Sequence, residues 1–393
     1  MKSLLRKGSG TARKASVTAA ATAKVEGLPN GTFTTVKPMT TKDLEATVKQ
    51  VGEMVSEWDP TRITLEKPLQ DAARNHGRVV LMKDTKENNR LMAVKQMPNR
   101  WMRLSPEDFN EQYPTASEKP WEDIAYVKYL SSVGFPYVCE IYGIYRSRKE
   151  TFVATTFCNG GDLFGWCDHP SVPAVGAERE EKMLPIVGQL FDGVRWLHDL
   201  GIAHRDLSLE NVLLQGSMTS PSVKIIDFGM TTLARTVTNQ IRGKDSYQAP
   251  EVHSDAEVDT FLGDDFALGV TLFAMAAHDY PWTSTQRGKC QLFEYVAAFG
   301  FKRFLEKRRS RKKKDEFLCK VFTPDFIEIL DALLKFDPKH RACIGEQTFF
   351  KAKTGAVRKS AREFVYIRSA EEHVAKLKPP PDPKKPGDIS SKE

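Results

Sequence analysis

The hydrophobic positions change period along the chain. Between Thr40 and Pro60, Leu44, Val48, Val51, Val55 and Trp58 recur at spacings of four and three, one stripe of a helix. Thr40 with Asp43 makes a capping box, and Asp59-Pro60 ends the segment. The stripe is short for a coiled coil, so the expectation is a helix docked on the domain that follows. From Ile63 to Val153 the signals favour strands. "GRVVLMK", "RLMAVKQM" and "TFVATTF" are alternating or apolar runs bounded by polar turns such as "DTKENN". One helix interrupts them, "WEDIAYVKYLSSV". From Glu178 the helical period takes over in "EEKMLPIVGQLFDGVRWLHDLG", "DFALGVTLFAMAAH" and "FTPDFIEILDALLKF". Strands first and helices after predict an α+β fold with two lobes, a small sheet-rich one and a larger helical one.

The flanks differ in kind. Residues 1–39 scatter Gly, Pro and Thr, and the first 25 hold Lys2, Arg6, Lys7, Arg13, Lys14 and Lys24 with no acid. They read as a disordered basic extension; the Ser-, Thr- and Ala-rich composition also suits an organelle transit peptide. Residues 40–62 hold the flanking helix, 63–352 the main domain and 353–393 a C-terminal tail. That tail contains a short helix, "SAEEHVAKLK", and a Pro-rich end expected to stay extended. Within the main domain, "FKRFLEKRRSRKKKDEF" is a dense basic run. It reads first as a solvated loop, then as a nuclear-import signal or a docking patch for an acidic partner near residues 302–314. Nucleic-acid binding comes last, because aromatic interleaving is thin.

Composition narrows this picture. A chain of 393 residues, 40% of them hydrophobic, has room for one large bilobal domain with tails. The net charge of +7 is mild for the length and does not by itself indicate nucleic acid. No apolar run reaches the ~18 residues of a membrane helix, so no membrane span is expected. Cys139, Cys158, Cys167, Cys290, Cys319 and Cys343 form no CxxC pair and no zinc-spaced cluster. Scattered single thiols suit a reducing compartment. The expected location is cytoplasmic, with the nucleus second through the basic run.

The candidate chemistry lies in "GIAHRDLSLENVLL", from Gly201 to Leu214, and in "VKIIDFG", which ends at Gly229. Asp206, Asn211 and Asp227 put two carboxylates and an amide on adjacent loops. Oxygen donors of this kind suit a divalent metal that shares its shell with phosphate. The remaining carboxylate, Asp206, can accept a proton from an incoming hydroxyl.

"HRDLSLEN", "DFG" and "APE" (249–251), in this order and spacing, resemble the eukaryotic protein kinase family over roughly residues 63–352. The resemblance implies serine/threonine phosphotransfer from ATP. Asp206 matches the catalytic aspartate, Asn211 and Asp227 the Mg2+ ligands, and Lys95 the strand lysine on the α- and β-phosphates. Val79, Ala93 and Leu213 would enclose the adenine. In "TTFCNGGDLF", Thr155 would be the gatekeeper, the backbone of Thr156 and Cys158 would meet adenine, and Asp162 would sit near the ribose. Asp264 would brace the catalytic loop, with Phe266 where the family has tryptophan, and Arg341 would pair with Glu251.

Four positions depart from the family pattern. The glycine-rich loop reads "AARNHGRV", with Ala72 and Arg74 at the first two glycine positions and Gly77 alone retained; weaker ATP binding is expected. At the helix glutamate that pairs with the strand lysine, the apolar register puts Asp123, with Glu122 just before it; either acid could serve, and Asp123 is favoured. Ser208 stands where serine/threonine members carry lysine, and Lys244 where they carry threonine. Hydroxyl and ammonium have exchanged places, so Lys244 would enter from the substrate side while Ser208 hydrogen-bonds Asp206. The chain lacks the Ala-Ala-Arg and Trp features of tyrosine-specific members, which favours serine or threonine. Arg205 before the catalytic aspartate, with Thr236 and Thr238 downstream, suggests an upstream activating kinase. The alternative is a pseudokinase scaffold, favoured by the eroded loop, Asp123 and Ser208.

Overall fold

The computed structural model describes residues 37–72, 77–313, 315–345 and 359–376. Residues 1–36, the Arg74 position and the Pro-rich end from 377 lie outside them.

Helix α1 (Thr41–Glu53) starts as its sequence requires. Thr40 Oγ accepts from Asp43 N at 3.2 Å, and Asp43 Oδ2 accepts from Thr40 N at 2.8 Å. It ends earlier than the stripe predicts. Val55–Glu57 leave the helix and form strand β1, which pairs in parallel with β5 (Ile141–Arg146). The open edge of β5 offers backbone partners that a further helical turn would forgo, and Trp58 N donates to Arg146 O at 2.9 Å. Trp58 then lies on the sheet, stacked on Phe152 with ring centroids 3.9 Å apart.

The rest of the sheet comes from β2 (Ile63–Ala72), β3 (Gly77–Asp84), β4 (Arg90–Pro98) and β6 (Glu150–Thr156), in the order β1-β5-β6-β4-β3-β2. Every pairing except β1 with β5 is antiparallel. Between β4 and β5 the chain forms α2 (Asn99–Met102), α3 (Pro106–Gln112) and α4 (Pro120–Ser132). The sequence anticipated only α4. Val51 of α1, Met102, Phe109, Trp121 and Ile124 share one buried cluster, and Trp121 Nε1 donates to Met102 O at 2.7 Å. Helix α4 is thus held between α1, α3 and the sheet.

The second lobe contains α5 (Leu163–Asp168), α6 (Ala177–Asp199), the hairpin β7 (Val212–Ser217) and β8 (Ser220–Ile225), and the short pair β9 (Thr236–Val237) and β10 (Val258–Asp259). Helix α7 (Thr260–Ala277) follows, then α8 (Gln291–Phe299), α9 (Phe301–Lys307), α10 (Leu318–Val321) and α11 (Pro324–Leu333). By length and composition α7 could cross a membrane, but it is 94% buried as the central helix of this lobe. In the basic run, Arg308 and Arg311 share Asp279, and Arg309 lies over the Phe317 ring.

The segment read as tail is partly a fixed element. Helix α12 (Val365–Lys376) packs on α6, Tyr366 OH donates to Glu180 O at 2.8 Å, and its ring meets Phe326 edge-on. The approach is close enough that a Cβ on Gly188 would fall 2.5 Å from Ala370 O. Gly188→Ala should therefore cost about 1–3 kcal/mol, as overpacking does. Thermal unfolding followed by circular dichroism should show the midpoint fall by several degrees; an unchanged midpoint would mean that α12 does not hold this position in solution.

Candidate active site

Alternation along β4 sorts its side chains. Met92 and Val94 face the buried core of the first lobe, while Ala93 and Lys95 face a cavity of about 400 Å3 between the lobes. Val79, the register partner of Lys95 on β3, lines the same cavity. Lys95 Nζ lies 3.3 Å from Asp123 Oδ2 on the first turn of α4. Asp123 Oδ1 accepts from Phe228 N at 2.8 Å. One carboxylate thus ties the strand lysine to the segment carrying Asp227. Glu122, the neighbouring acid, is drawn off by Lys119 at 2.8 Å.

Burial opposes the Lys95 charge, but Asp123, Asp227 and Glu118 outweigh it and hold the ammonium well above its ordinary range. Burial pushes the Asp123 carboxyl up; the Lys95 charge counters this, and Asp227 adds to it. Glu118, in the loop before α4, is a wall residue that no motif marked.

The catalytic loop is braced from beneath. Asp264 Oδ2 accepts from His204 N and its Oδ1 from Arg205 N, each at 2.8 Å, and His198 Nε2 lies 3.0 Å from Oδ2. Both Arg205 and Asp227 sit at φ of 67°, a conformation that non-glycine residues hold only when neighbours fix it. Asn211 Nδ2 donates to Asp206 O at 2.7 Å and to Asp206 Oδ2 at 3.1 Å, which turns the carboxamide oxygen away from Asp206. Ile226 N donates to Asn211 O at 3.0 Å, so the two candidate metal ligands stand on adjoining backbones. Among the described residues no three His, Cys, Asp or Glu side chains cluster as a metal site. One carboxylate and one amide fit Mg2+, which takes few protein ligands.

Lys244 reaches the same cavity from the loop before Ala249. Its Nζ donates to Ser208 Oγ at 2.7 Å and to Glu210 Oε2 at 2.9 Å. The Ser208 hydroxyl, expected to bond Asp206, accepts from Lys244 and bonds Glu210. Burial would raise the Glu210 carboxyl, but the bonds from Lys244 and Ser208 hold it below the usual range. Glu210 is a second residue missed from the sequence, although it directly precedes Asn211. Gly243, at φ of 79°, lets this loop close on the catalytic loop, because a Cβ there would lie 2.8 Å from Arg205 O.

The residues expected at the hinge fall in two groups. Thr155 and Thr156 line the cavity, and Leu213 forms part of its wall. Cys158 and Asp162 do not face it with their side chains. Cys158 turns inward to Cys139, and Asp162 Oδ1 caps α5 by accepting from Gly165 N at 2.7 Å. Gly77, the first residue of β3, is paired with Ala72, the last of β2. Glu251 and Arg341 form the anticipated pair through two bonds of 2.6 and 2.8 Å.

Residues 75–349 match the family model for the protein kinase domain. Similar proteins include the serine/threonine-protein kinase SAPK3 of Oryza sativa subsp. indica, 38% identical over 153 residues, which cover 38% of this chain and 44% of that protein. The serine/threonine-protein kinase SRK2B of Arabidopsis thaliana is 32% identical over 160 residues, covering 40% and 43%. SAPK5 of Oryza sativa subsp. japonica is 27% identical over 250 residues, covering 62% and 63%. The chain spans less than half the length of the first two.

The charges around Lys95 predict its reactivity. Asp123→Ala removes the nearest carboxylate that holds the ammonium protonated, so the neutral amine becomes commoner at any given pH. Acylation of Lys95 at pH 9, read by peptide mass spectrometry, should speed up by roughly tenfold, the effect of a pKa fall of about one unit. An unchanged rate would mean that the pair does not form in solution.

Proposed function

Because the chain belongs to the protein kinase family, we propose that it transfers the γ-phosphoryl group of ATP to serine or threonine hydroxyls of protein substrates. One observation carries this reading: Lys95, Asp123, Asp206, Asn211, Asp227 and Lys244 converge on a single cavity of about 400 Å3, a volume that suits a small-molecule ligand. Lys95, fixed by Asp123, binds the phosphates of ATP. Thr156 and the Cys158 backbone position the adenine, with Val79, Ala93 and Leu213 enclosing it. Asp206, oriented by Asn211, accepts the proton of the substrate hydroxyl. Lys244 supplies positive charge close to the transferring group. Asn211 and Asp227 would hold Mg2+, which when bound neutralises phosphate charge. Positioning and charge therefore carry the rate.

The test is phosphate transfer from labelled Mg-ATP to a generic protein substrate, with phosphoamino-acid analysis of the product. Wild type should transfer to serine and threonine, and Asp206→Asn should abolish transfer. Lys244→Ala should lower turnover about 10²–10³-fold, the scale seen when one preorganised charge-stabilising group is removed. Equal turnover of wild type and Asp206→Asn would reject the reading. ATP binding with no transfer by the wild type, even after loop phosphorylation, would favour a scaffold.

Arg205 supports control by an upstream kinase. Its guanidinium donates to Gln240 Oε1 at 3.1 Å and to Gln240 O at 3.0 Å. Burial, with the like charge of Arg242, pulls it down to about 10 despite Asp264. A phosphate near Gln240 would meet two guanidinium groups. Thr238 is exposed two residues away, whereas Thr236 Oγ1 already donates to Glu257 at 2.7 Å, where a phosphate would face like charge. Thr238 is therefore the preferred site. Thr238→Ala should block activation by an added upstream kinase while Thr236→Ala leaves it in place; the reverse result in the transfer assay would reject this assignment.

A further inference from the structure

Six cysteines are spread through the chain, five of them buried. Two of them touch. The sulfurs of Cys139 and Cys158 lie 3.7 Å apart, and both residues are 6% exposed. Cys158 belongs to the hinge. Cys139 directly precedes Glu140, whose backbone is bonded both ways to the hinge, by Thr156 N to Glu140 O at 3.0 Å and by Glu140 N to Thr156 Oγ1 at 3.1 Å. The two thiols therefore join the segment leading into β5 to the hinge, across chains already held in register.

Their exposure to the cleft is unequal. Cys139 contributes to the wall of the cavity that also holds Lys95 and Asp227, whereas Cys158 lies behind that wall. A small solute entering the cleft meets Cys139 first. We infer that Cys139 and Cys158 form an oxidative modification site, at which a small hydroperoxide entering the cleft converts the pair to a disulfide.

The two sulfurs have different roles. The Cys139 thiolate attacks one peroxide oxygen; an S–O bond forms, the O–O bond breaks, and hydroxide leaves and takes up a proton as water. Cys158 then displaces the sulfenic oxygen; an S–S bond forms, the S–O bond breaks, and a second water leaves with the Cys158 proton. Two thiols lose two electrons and hydrogen peroxide is reduced to two waters. A hydrogen bond from Cys158 is the largest influence on Cys139 and holds its thiol below the ordinary range; burial opposes it and Lys224 assists. The same contact, with burial, raises Cys158. This polarity suits Cys139 as attacking thiolate and Cys158 as resolving thiol. Added dithiol reverses the bond by thiol–disulfide exchange.

Closure displaces the hinge. A disulfide holds its sulfurs ~2.05 Å apart, so the present gap must shrink by about 1.6 Å, and Cys158 moves with the backbone assigned to adenine. That part rests on the kinase reading. Nucleotide and disulfide should oppose each other, each weakening the other by the same factor.

The experiment uses the full chain, reduced, desalted and treated with hydrogen peroxide, then alkylated and digested without reductant. Mass spectrometry should find Cys139 linked to Cys158, the link should disappear with dithiothreitol, and neither Cys139→Ser nor Cys158→Ser should form it. Cys139 recovered only as free thiol or sulfinic acid in the wild type would overturn the proposal. So would a peroxide-induced link from Cys139 to any other cysteine. Saturating Mg-ATP should slow linkage about tenfold, within the usual range of coupling between sites. Calorimetry should show peroxide weakening ATP binding in wild type and not in Cys139→Ser, each compared with its own untreated sample. Linkage that forms at the same rate with and without Mg-ATP would instead count against ATP in this cleft, and would leave the modification site standing.

Discussion

The arrangement depends on one carboxylate in three places at once. Asp123 belongs to α4, lies 3.3 Å from Lys95 on β4, and accepts from Phe228 N beside Asp227. Its two oxygens divide the work, Oδ2 for the ammonium and Oδ1 for the backbone amide. The shorter side chain makes this demanding. Where the family uses glutamate, an aspartate needs α4 closer to both partners. A displacement of α4 would break both bonds together and leave Lys95 among Asp227 and Glu118 alone.

The first lobe is built to prevent that displacement. Trp121 and Ile124 bracket Asp123 along α4, and both are buried with Val51 of α1 and Phe109 of α3. Each large apolar side chain buried there contributes about 1.5–3 kcal/mol. The indole of Trp121 adds a directional bond to Met102 O. Helix α1 itself is fixed at both ends, by its capping box and by the pairing of β1 with β5. Segments outside the strand-and-helix core of this lobe thus serve to place one short acid.

This explains what the sequence could and could not disclose. Lys95, Asp206, Asn211 and Asp227 were legible because phosphotransfer chemistry fixes residue types at fixed spacings. Asp123 was legible because Ile124, Val127 and Leu130 gave the helix register. Strand β1 was not, because its register partners lie 89 residues away and Val55 continues the helical spacing. Helices α2 and α3 are too short to show a period. Glu118 sits in an irregular loop, and its role arises only from where that loop folds. The bond of Ser208 to Glu210 was not anticipated, because Glu210 carries no motif role although it lies only two residues away. The fit of α12 against Gly188 is a tertiary contact without a local signature.

Under the proposed function, the exchange of hydroxyl and ammonium would change what controls the charge at the reaction centre. A lysine at position 208 would travel with the catalytic loop, and its charge would be present whenever Asp206 is. Here the charge arrives on Lys244, from a loop 36 residues further along. Its placement needs Gly243 close against Arg205 O in front, and Glu251 held by Arg341 behind. The Arg341 side chain is fully buried, so the loop is anchored behind by a buried ion pair and in front by a backbone approach that only glycine allows. Under the proposed function, the seating of this loop against residues 205–206 would therefore set the charge at the reaction centre. Glu210 pairs with the Lys244 ammonium at 2.9 Å, and under the proposed function a phosphate would compete for it. The bond to Glu210 keeps the ammonium paired in a half-buried site, and an incoming phosphate would need only to share it.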